Sequence, residues 1–319
     1  MTRLVVTTLA CLGALVSAPA HAQSLAGKRV LFVNSYHQGY PWSDGEEAGA
    51  AQALAGSGVK LDFYRMDTKR HDSEKFFKEE TQKVKALIDS SKPDVVLVSD
   101  DNATKVMVQH YKNAALPWVF CGVNWDASVY GLPYKNATGV NEVALTVQLL
   151  DSLKAYAKGG RIGFLTVDSE TERTEGRYYK KQLKIQFAQE KYVKTLADWK
   201  ESFKRMQSDV DLLLLGNFAG INDWNEADAA AWALEYGRIP SGGMYDFMMP
   251  YTMIGMTKVA EEQGVLSGKM VLAILKGTSP ASIPVTENKQ AKLFVNVKLA
   301  SKAGIVFKPE LVRNAEVIK

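Results

Sequence analysis

Short apolar runs alternate with amphipathic, helix-compatible stretches along most of the chain. The apolar runs are strand-sized and cover residues 29–34, 59–64, 94–99, 118–121, 161–167, 211–215 and 292–297. The helix-compatible stretches cover residues 45–55, 73–90, 103–111, 145–157, 173–189, 226–236 and 258–275. Apolar strands that alternate with helices indicate parallel sheets covered on both faces, so the pattern predicts the α/β class.

The alternation starts afresh after residue 140, which predicts two Rossmann-like lobes. Late segments fall out of order, because residues 239–255 become rich in glycine, proline, methionine and aromatic residues. We therefore expect several chain crossings between the lobes, the first near residues 138–142 and the second near residues 242–245, with Glu142 and Gly243 as hinge residues. The predicted division is listed here by segment: a first lobe of residues 23–140 plus about 244–285, and a second lobe of residues 141–243 plus about 286–319.

Residues 1–22 have the order of a secretory signal peptide. Arg3 precedes an apolar run over residues 4–16, Ser17 breaks that run, and residues 20–22 read A-H-A as a cleavage site. The apolar run is shorter than the roughly 20 residues that a membrane-spanning helix needs. We predict cleavage after Ala22 and a periplasmic location.

Charge and cysteine content exclude other classes of protein. The formal net charge of +4 is mild, and the basic residues are spread along the chain, so we expect no nucleic-acid partner. Cys121 is the cysteine that remains after the predicted cleavage, because Cys11 lies in the signal segment. An internal disulfide is therefore excluded, and Cys121, at the end of an apolar run, is expected to be a buried thiol.

Common enzyme motifs are absent from the sequence. The chain has no G-x-x-x-x-G-K-[ST] loop, no G-x-S-x-G elbow and no H-E-x-x-H helix. We therefore expect no catalytic residue, no cofactor and no metal. His37, Asp100 and Cys121 all follow neighbouring predicted strands, and a nucleophilic triad formed by them leaves a hydrolase as a distant alternative.

Polar and aromatic residues follow successive predicted strands. Ligands of open α/β sheets bind beyond the carboxyl ends of the strands, so these clusters predict one ligand site. Its predicted residues are Ser35, Tyr36, Tyr40, Trp42, Ser99, Asp100, Asp101, Asn102, Gly122, Asn124, Asp168, Ser169, Arg173, Asn217, Tyr245 and Asp246.

These residue types suit an aromatic or amine-bearing small molecule. Aromatic rings stack on planar ligands or face a cation, and Asp100 or Asp101 can pair with a ligand amine. Arg173 can hold a carboxylate with two hydrogen bonds. Structural roles stay open for the same residues: one of the two aspartates as an N-cap, Trp42 as the cover of a lobe edge, and Arg173 as the partner of Glu170 or Glu172.

Several segments resemble the periplasmic substrate-binding proteins of ABC transport systems, including the tryptophan/tyrosine-binding type, and more closely the periplasmic sensor modules of bacterial histidine kinases. The segments are residues 33–42, 66–70, 98–103, 119–124 and 138–142, with looser matches at 161–163, 274–277, 283–285 and 294–296. The resemblance implies a type I periplasmic-binding fold with parallel sheets in two lobes joined by three strands. It also implies a ligand held between lobes that close on it, which a membrane partner reads.

The leading interpretation is therefore a solute-binding protein that delivers a small molecule to an ABC importer. Ligand sensing on behalf of a separate sensor kinase is the alternative. The chain as given ends without a kinase or cyclase region. We expect a monomer that acts through a separate permease or kinase.

Overall fold

The computed structural model describes residues 25–71, 73–218 and 220–318, so the predicted signal peptide lies outside the described residues. Its strands are β1 (Arg29–Asn34), β2 (Lys60–Arg65), β3 (Val95–Ser99), β4 (Trp118–Asn124), β5 (Ala137–Glu142), β6 (Ile162–Val167), β7 (Phe187–Val193), β8 (Leu212–Leu215), β9 (Ser241–Gly243), β10 (Ile254–Lys258), β11 (Thr286–Glu287), β12 (Ala291–Asn296) and β13 (Glu316–Ile318).

The α-helices lie mostly between consecutive strands. They are α1 (Pro41–Leu54), α2 (Glu74–Ser91), α3 (Asp100–Met107), α4 (Thr146–Lys154), α5 (Glu170–Lys181), α6 (Leu196–Asp209), α7 (Glu226–Tyr236), α8 (Ala260–Leu275), α9 (Val297–Lys302) and α10 (Pro309–Arg313). In this part of the chain, no helix is both long and apolar enough to cross a bilayer.

The first lobe is built on a parallel sheet with the strand order β11-β5-β4-β3-β1-β2. Its central strands are apolar because helices cover both faces, and Phe32, Val98 and Phe120 are fully buried. Helix α8 packs against α1 on one face although α8 follows most of the second lobe in sequence. Glycines allow this packing: a Cβ atom at Gly49 would lie 2.0 Å from the Glu261 carbonyl oxygen.

The second lobe is built on a sheet with the strand order β13-β12-β10-β9-β8-β6-β7. Its strands pair in parallel except for β10 and β12, which are antiparallel. The four leucines of β8 are completely buried at its centre, where Trp199 and Phe218 pack beside them. The predicted α/β class with two lobes is confirmed.

The chain passes between the sheets at three places: from β5 to α4, from β10 to α8 and from β11 to β12. Glu142 ends β5 at the first crossing. The second crossing lies at residues 258–260 and not near residues 242–245, because β9 and β10 both pair within the second sheet. Gly243 is therefore the last residue of an interior strand of the second sheet and does not lie at a crossing. A Cβ atom there would lie 2.9 Å from Met248 Cε, so a larger residue would displace the Met248 side chain. Because the position is a glycine, the sequence shows no apolar pattern that would predict a strand here.

The predicted helix over residues 173–189 is wrong in its second half. Helix α5 ends at Lys181, and the chain turns through Lys184, whose φ is 56°, into strand β7. Strand β7 forms the edge of the second sheet, so its charged residues face solvent between apolar ones. Such a short mixed segment resembles an amphipathic helix in sequence.

Candidate functional site

A cleft of about 570 Å³ is lined by residues of both lobes. The first lobe contributes residues that follow β1, β2 and β3, the last residues of β4 and β5, and the first turn of α8. The second lobe contributes residues at the ends of β9 and β10 and one residue of β12. Because parallel strands of one sheet end along the same edge, loops that are far apart in sequence meet here. The lining includes the side chains of Tyr36, Tyr40, Trp42, Lys69, Asp100, Asn124, Glu142, Met244, Tyr245, Asp246, Lys258, Glu261 and Lys292.

The structure brings part of the predicted ligand set together in this cleft. The members that line it are Tyr36, Tyr40, Trp42, Asp100, Asn124, Tyr245 and Asp246. Those that do not line it are Ser35, Ser99, Asp101, Asn102, Gly122, Asp168, Ser169, Arg173 and Asn217. Glu142, predicted as a hinge residue, lines the cleft as well as standing at the first crossing.

The predicted first-lobe residues that do not line the cleft form hydrogen bonds behind its lining. The Ser35 hydroxyl donates to the Ser99 carbonyl oxygen at 2.6 Å and accepts from the Ala103 amide at 2.7 Å. The Asp101 carboxylate accepts hydrogen bonds from Asn124 and from the Tyr130 hydroxyl. The neighbouring Asn102 side chain donates to Thr68 Oγ1. These bonds fix the loops that hold the lining side chains.

Gly122 does not line the cleft, and its lack of a side chain leaves space for neighbouring groups. Its φ is +65°, and its N–H donates to Gln263 Oε1 on α8. A Cβ atom at this position would lie 2.3 Å from Glu46 Oε1 and 3.1 Å from Asp100 Oδ1. The glycine therefore permits two carboxylates to approach the same point from α1 and α3.

The predicted second-lobe cluster forms a separate surface feature. Arg173 Nε donates to Asp168 Oδ1 at 2.7 Å, and the guanidinium lies over the Tyr192 ring. This hydrogen bond is the main cause of the lowered pKa of Asp168. The Ser169 hydroxyl caps α5 by accepting from the Glu172 amide, and the Asn217 carbonyl oxygen accepts from the Val167 amide. Sequence reasoning placed Arg173 in the cleft because side-chain pairing is not visible along the chain.

Asp100 lies at the floor of the cleft and Glu46 lies buried behind it, and we call these two carboxyl groups the buried acid pair. Burial raises the pKa of both well above the usual range; Asp100 raises that of Glu46 further, and Glu142 raises both. Glu46 is completely buried, and within the described ranges neither carboxylate oxygen has a hydrogen bond of good geometry, although the nearby Ser99 hydroxyl and Trp42 indole act to lower its pKa. Asp100 is 3% exposed and has only a long contact of 3.4 Å with the Ser99 hydroxyl.

The rings of Tyr36 and Tyr40 stand beside the buried acid pair, and we call them the tyrosine pair. Their centroids are 5.4 Å apart and their planes are almost perpendicular. The ammonium group of Lys69 lies over both rings, 4.8 Å from the Tyr36 centroid and 4.4 Å from the Tyr40 centroid. Burial and then the Asp100 charge raise the pKa of Tyr36, so this phenol stays neutral. Lys69 was not among the residues predicted for the ligand site.

An ion pair connects the lobes on the other side of the cleft. The Lys258 ammonium, at the end of β10, donates to the Glu142 carboxylate at the end of β5. Burial lowers the pKa of Lys258, but the attraction of Glu142 outweighs it and the net pKa is raised. Lys258 also faces the Trp42 ring at 5.6 Å. Sequence reasoning missed Lys258, because it predicted a helix from residue 258 onwards and no strand β10 before it.

Trp125 makes a second contact between the lobes. It follows β4 in the first lobe, and its indole N–H donates to Glu175 Oε2 on α5 of the second lobe at 2.9 Å. Its ring stacks on Tyr178 at a centroid distance of 5.2 Å. The first-lobe residue thus packs within the apolar core of the second lobe.

The family model described as ABC transporter substrate binding protein matches residues 241–319. A substrate-binding protein with adhesive properties from Clostridium difficile, solved in its ligand-free, open form, superposes with a TM-score of 0.70. Its identity is 18%, over 92% of this chain and 99% of that chain. The chain has the type I periplasmic-binding fold. This fold and the family match bear out the resemblance to the substrate-binding proteins of ABC transport systems.

Other structures of the type I fold also superpose on the chain. An ABC domain from Streptococcus pneumonia in complex with L-Trp gives a TM-score of 0.53 at 20% identity, over 91% of this chain and 100% of that chain. A periplasmic ribose ABC transporter from Conexibacter woesei gives a TM-score of 0.53 at 14% identity, over 92% of this chain and 99% of that chain. No curated protein sequence matches the chain.

Proposed function

We propose that the chain is an exported solute-binding protein, which captures a small organic molecule between its two lobes and delivers it to an ABC importer. The cleft carries this proposal, because both lobes contribute polar and aromatic side chains to it. A ligand that contacts both lobes favours the closed arrangement over the open one, and that difference is what a membrane partner can read. The family match at residues 241–319 favours an importer over a sensor kinase as that partner.

We propose binding without catalysis. A cysteine nucleophile must be accessible and readily ionised, whereas Cys121 is fully buried and burial raises the pKa of its thiol. His37 Nδ1 lies 3.4 Å from Asp67 Oδ1, so the imidazole is directed to Asp67. These positions speak against the hydrolase alternative. A monomer in the periplasm, released by cleavage after Ala22, completes the proposal.

A thermal-shift screen of residues 23–319 tests the proposed function. The library contains amino acids, nucleobases, aromatic acids, amines, polyamines and sugars. A ligand at 100 times its Kd stabilises the folded state by about 2.7 kcal/mol, so we expect one compound class to raise the Tm by several degrees. Trp42→Ala is expected to abolish this shift, whereas Val306→Ala, on an exposed site outside the cleft, keeps it. The proposal fails if no class of compound stabilises the protein.

A further inference from the structure

The charges around the cleft are unevenly compensated. Glu142 is paired with Lys258, and Lys292 is paired with Glu316 at 2.8 Å. Asp100 lines the cleft and has no ion-pair partner within 4 Å in the part of the chain that the structure describes. Glu46 stands directly behind it, beside the Ser99 hydroxyl and the Trp42 indole, and no ion pair of its carboxylate is found in the described part of the chain. The floor of the cleft therefore holds uncompensated acidic groups where a ligand can reach Asp100.

The cation nearest to this floor belongs to the protein itself. Lys69 is an exposed side chain, and its ammonium rests on the faces of Tyr36 and Tyr40. Its positive charge counteracts the rise in the Asp100 pKa, which places it within electrostatic reach of that carboxylate. An ammonium over two ring faces beside a carboxylate has the surroundings of a cation-binding site.

The Lys69 ammonium can leave this position without any rearrangement of the backbone. The main chain of its loop is tied to the end of β1, because the Asp67 amide donates to the Tyr36 carbonyl oxygen and the Thr68 amide donates to the Ser35 carbonyl oxygen. Rotation of one exposed, flexible side chain would uncover both rings.

We infer that the cleft takes a cationic amine, whose protonated nitrogen displaces the Lys69 ammonium from the tyrosine pair and donates a hydrogen bond to Asp100. This inference rests on the proposed function and names the ligand class of the same cleft. A carboxylate-bearing ligand suits the site less well, because no arginine lines the cleft among the residues described and two of its three lysines are already paired. Aliphatic and aromatic amines share the ammonium chemistry that this subsite recognises.

Isothermal titration with matched probes tests the inference. Phenethylamine and putrescine are the amine probes, and phenylacetate and succinate are their anionic counterparts. We expect at least one amine to bind, and its counterpart to bind about tenfold more weakly or not at all, because the carboxylate of the probe would face Asp100. Binding of neither amine, or tighter binding of an anion, overturns the inference.

Two variants of this subsite are expected to change the amine affinity in opposite directions, which a purely structural role would not produce. Asp100→Asn is expected to weaken amine binding about tenfold or more, since it removes a charge-assisted hydrogen bond. Asparagine tolerates the φ of 61° at this position, so the backbone is retained. Lys69→Met is expected to tighten amine binding about threefold, because it removes the internal competitor. Weaker amine binding by Lys69→Met would overturn the inference.

Further controls separate the inference from the proposed function. Asp168→Asn removes a carboxylate after β6, outside the cleft, and should leave amine affinity unchanged. Tyr40→Leu removes one ring face without touching Asp100 and should weaken amine binding about threefold. If the thermal-shift screen finds a sugar or an acid but no amine, the inference fails while the proposed function stands. If no compound of any class stabilises the protein, the proposed function itself fails.

Discussion

At the scale of single residues, the distinctive feature is a pair of acidic groups buried close together. Glu46 is completely buried on α1, and its carboxylate and that of Asp100 both approach the point where a side chain of Gly122 would begin. A buried carboxylate without a paired cation is costly to ionise, so the folded protein holds the Glu46 proton more tightly than the unfolded chain does. The site is thus maintained at some expense of stability, as is common where a structure is preorganised for a ligand.

Replacing Glu46 with glutamine should stabilise the ligand-free protein. Because the folded-state pKa of Glu46 lies above its unfolded value, its contribution to stability is present at low pH and is lost as the pH rises through the folded pKa. Glu46→Gln should therefore raise the free energy of unfolding by about 1 kcal/mol or more at pH 8.

Urea unfolding of both proteins from pH 5 to pH 8 measures this effect. The advantage of Glu46→Gln should shrink as the pH falls, because the wild-type carboxyl group becomes protonated. Glu201→Gln, on an exposed site of α6, is the matched control and should show no such trend. An advantage that is constant with pH would contradict the assignment.

At the scale of elements, the contact between α1 and α8 holds the first lobe together. Glycines face the opposite backbone from both helices: a Cβ atom at Gly264 would lie 2.0 Å from the Glu46 carbonyl oxygen, just as one at Gly49 would from that of Glu261. The close approach of α1 and α8 positions the first turn of α8, including Glu261, at the cleft. Small residues on these helices are therefore a packing requirement with a consequence for the site.

Gly49→Ala should be strongly destabilising, because its added methyl group meets backbone and not a movable side chain. We expect a loss of about 3 kcal/mol, measured by urea unfolding, and weaker ligand binding through displacement of α8. Gly160→Ala is the matched control, since its Cβ would have nothing within 4 Å. A loss of similar size at both positions would contradict the role of the helix contact, because an alanine at Gly160 meets no neighbour.

Sequence reasoning succeeded where one element determines the outcome. The buried strands β3 and β8 are uninterrupted apolar runs, and Tyr36 and Asp100 follow strand ends, which suffices to place them at the cleft. It failed where tertiary contacts decide. Strand β9 is Ser-Gly-Gly, with Leu149 and Met248 packed closely over its two glycines, and so it shows no apolar pattern in the sequence. Arg173 lies outside the cleft because Asp168 pairs with it.

At the scale of the whole molecule, side chains also connect the lobes besides the crossings of the described chain. Glu142 forms an ion pair with Lys258, and Trp125 donates a hydrogen bond to Glu175 and stacks on Tyr178. A movement that separates the lobes would break the Trp125 contact, since this residue belongs to one lobe and its partners to the other. We therefore expect this large side chain to favour the closed arrangement of the proposed binding protein.

Trp125→Ala should shift that equilibrium towards the open arrangement. We expect a larger radius of gyration of the ligand-free protein in small-angle X-ray scattering, and ligand affinity about tenfold lower, since closure loses a large buried contact. Trp232→Ala is the matched control: its indole N–H donates to the Lys200 carbonyl oxygen within the second lobe. That variant should lose stability with no change in radius of gyration. Equal radii for Trp125→Ala and the wild type would contradict this role.

The return of α8 to the first lobe also determines when that lobe can fold. The Gly122 amide finds its acceptor on Gln263, 141 residues later, and the Thr138 hydroxyl donates to Ile283, 145 residues later. During synthesis, β1 to β5 therefore emerge long before the helix that covers one of their faces and the strand β11 that completes their edge. Such distant pairings close slowly, so the first lobe remains an unfinished, apolar-faced intermediate until nearly the entire second lobe has been made. The two lobes have separate sheets, but the first lobe can complete its structure only after the second has been made.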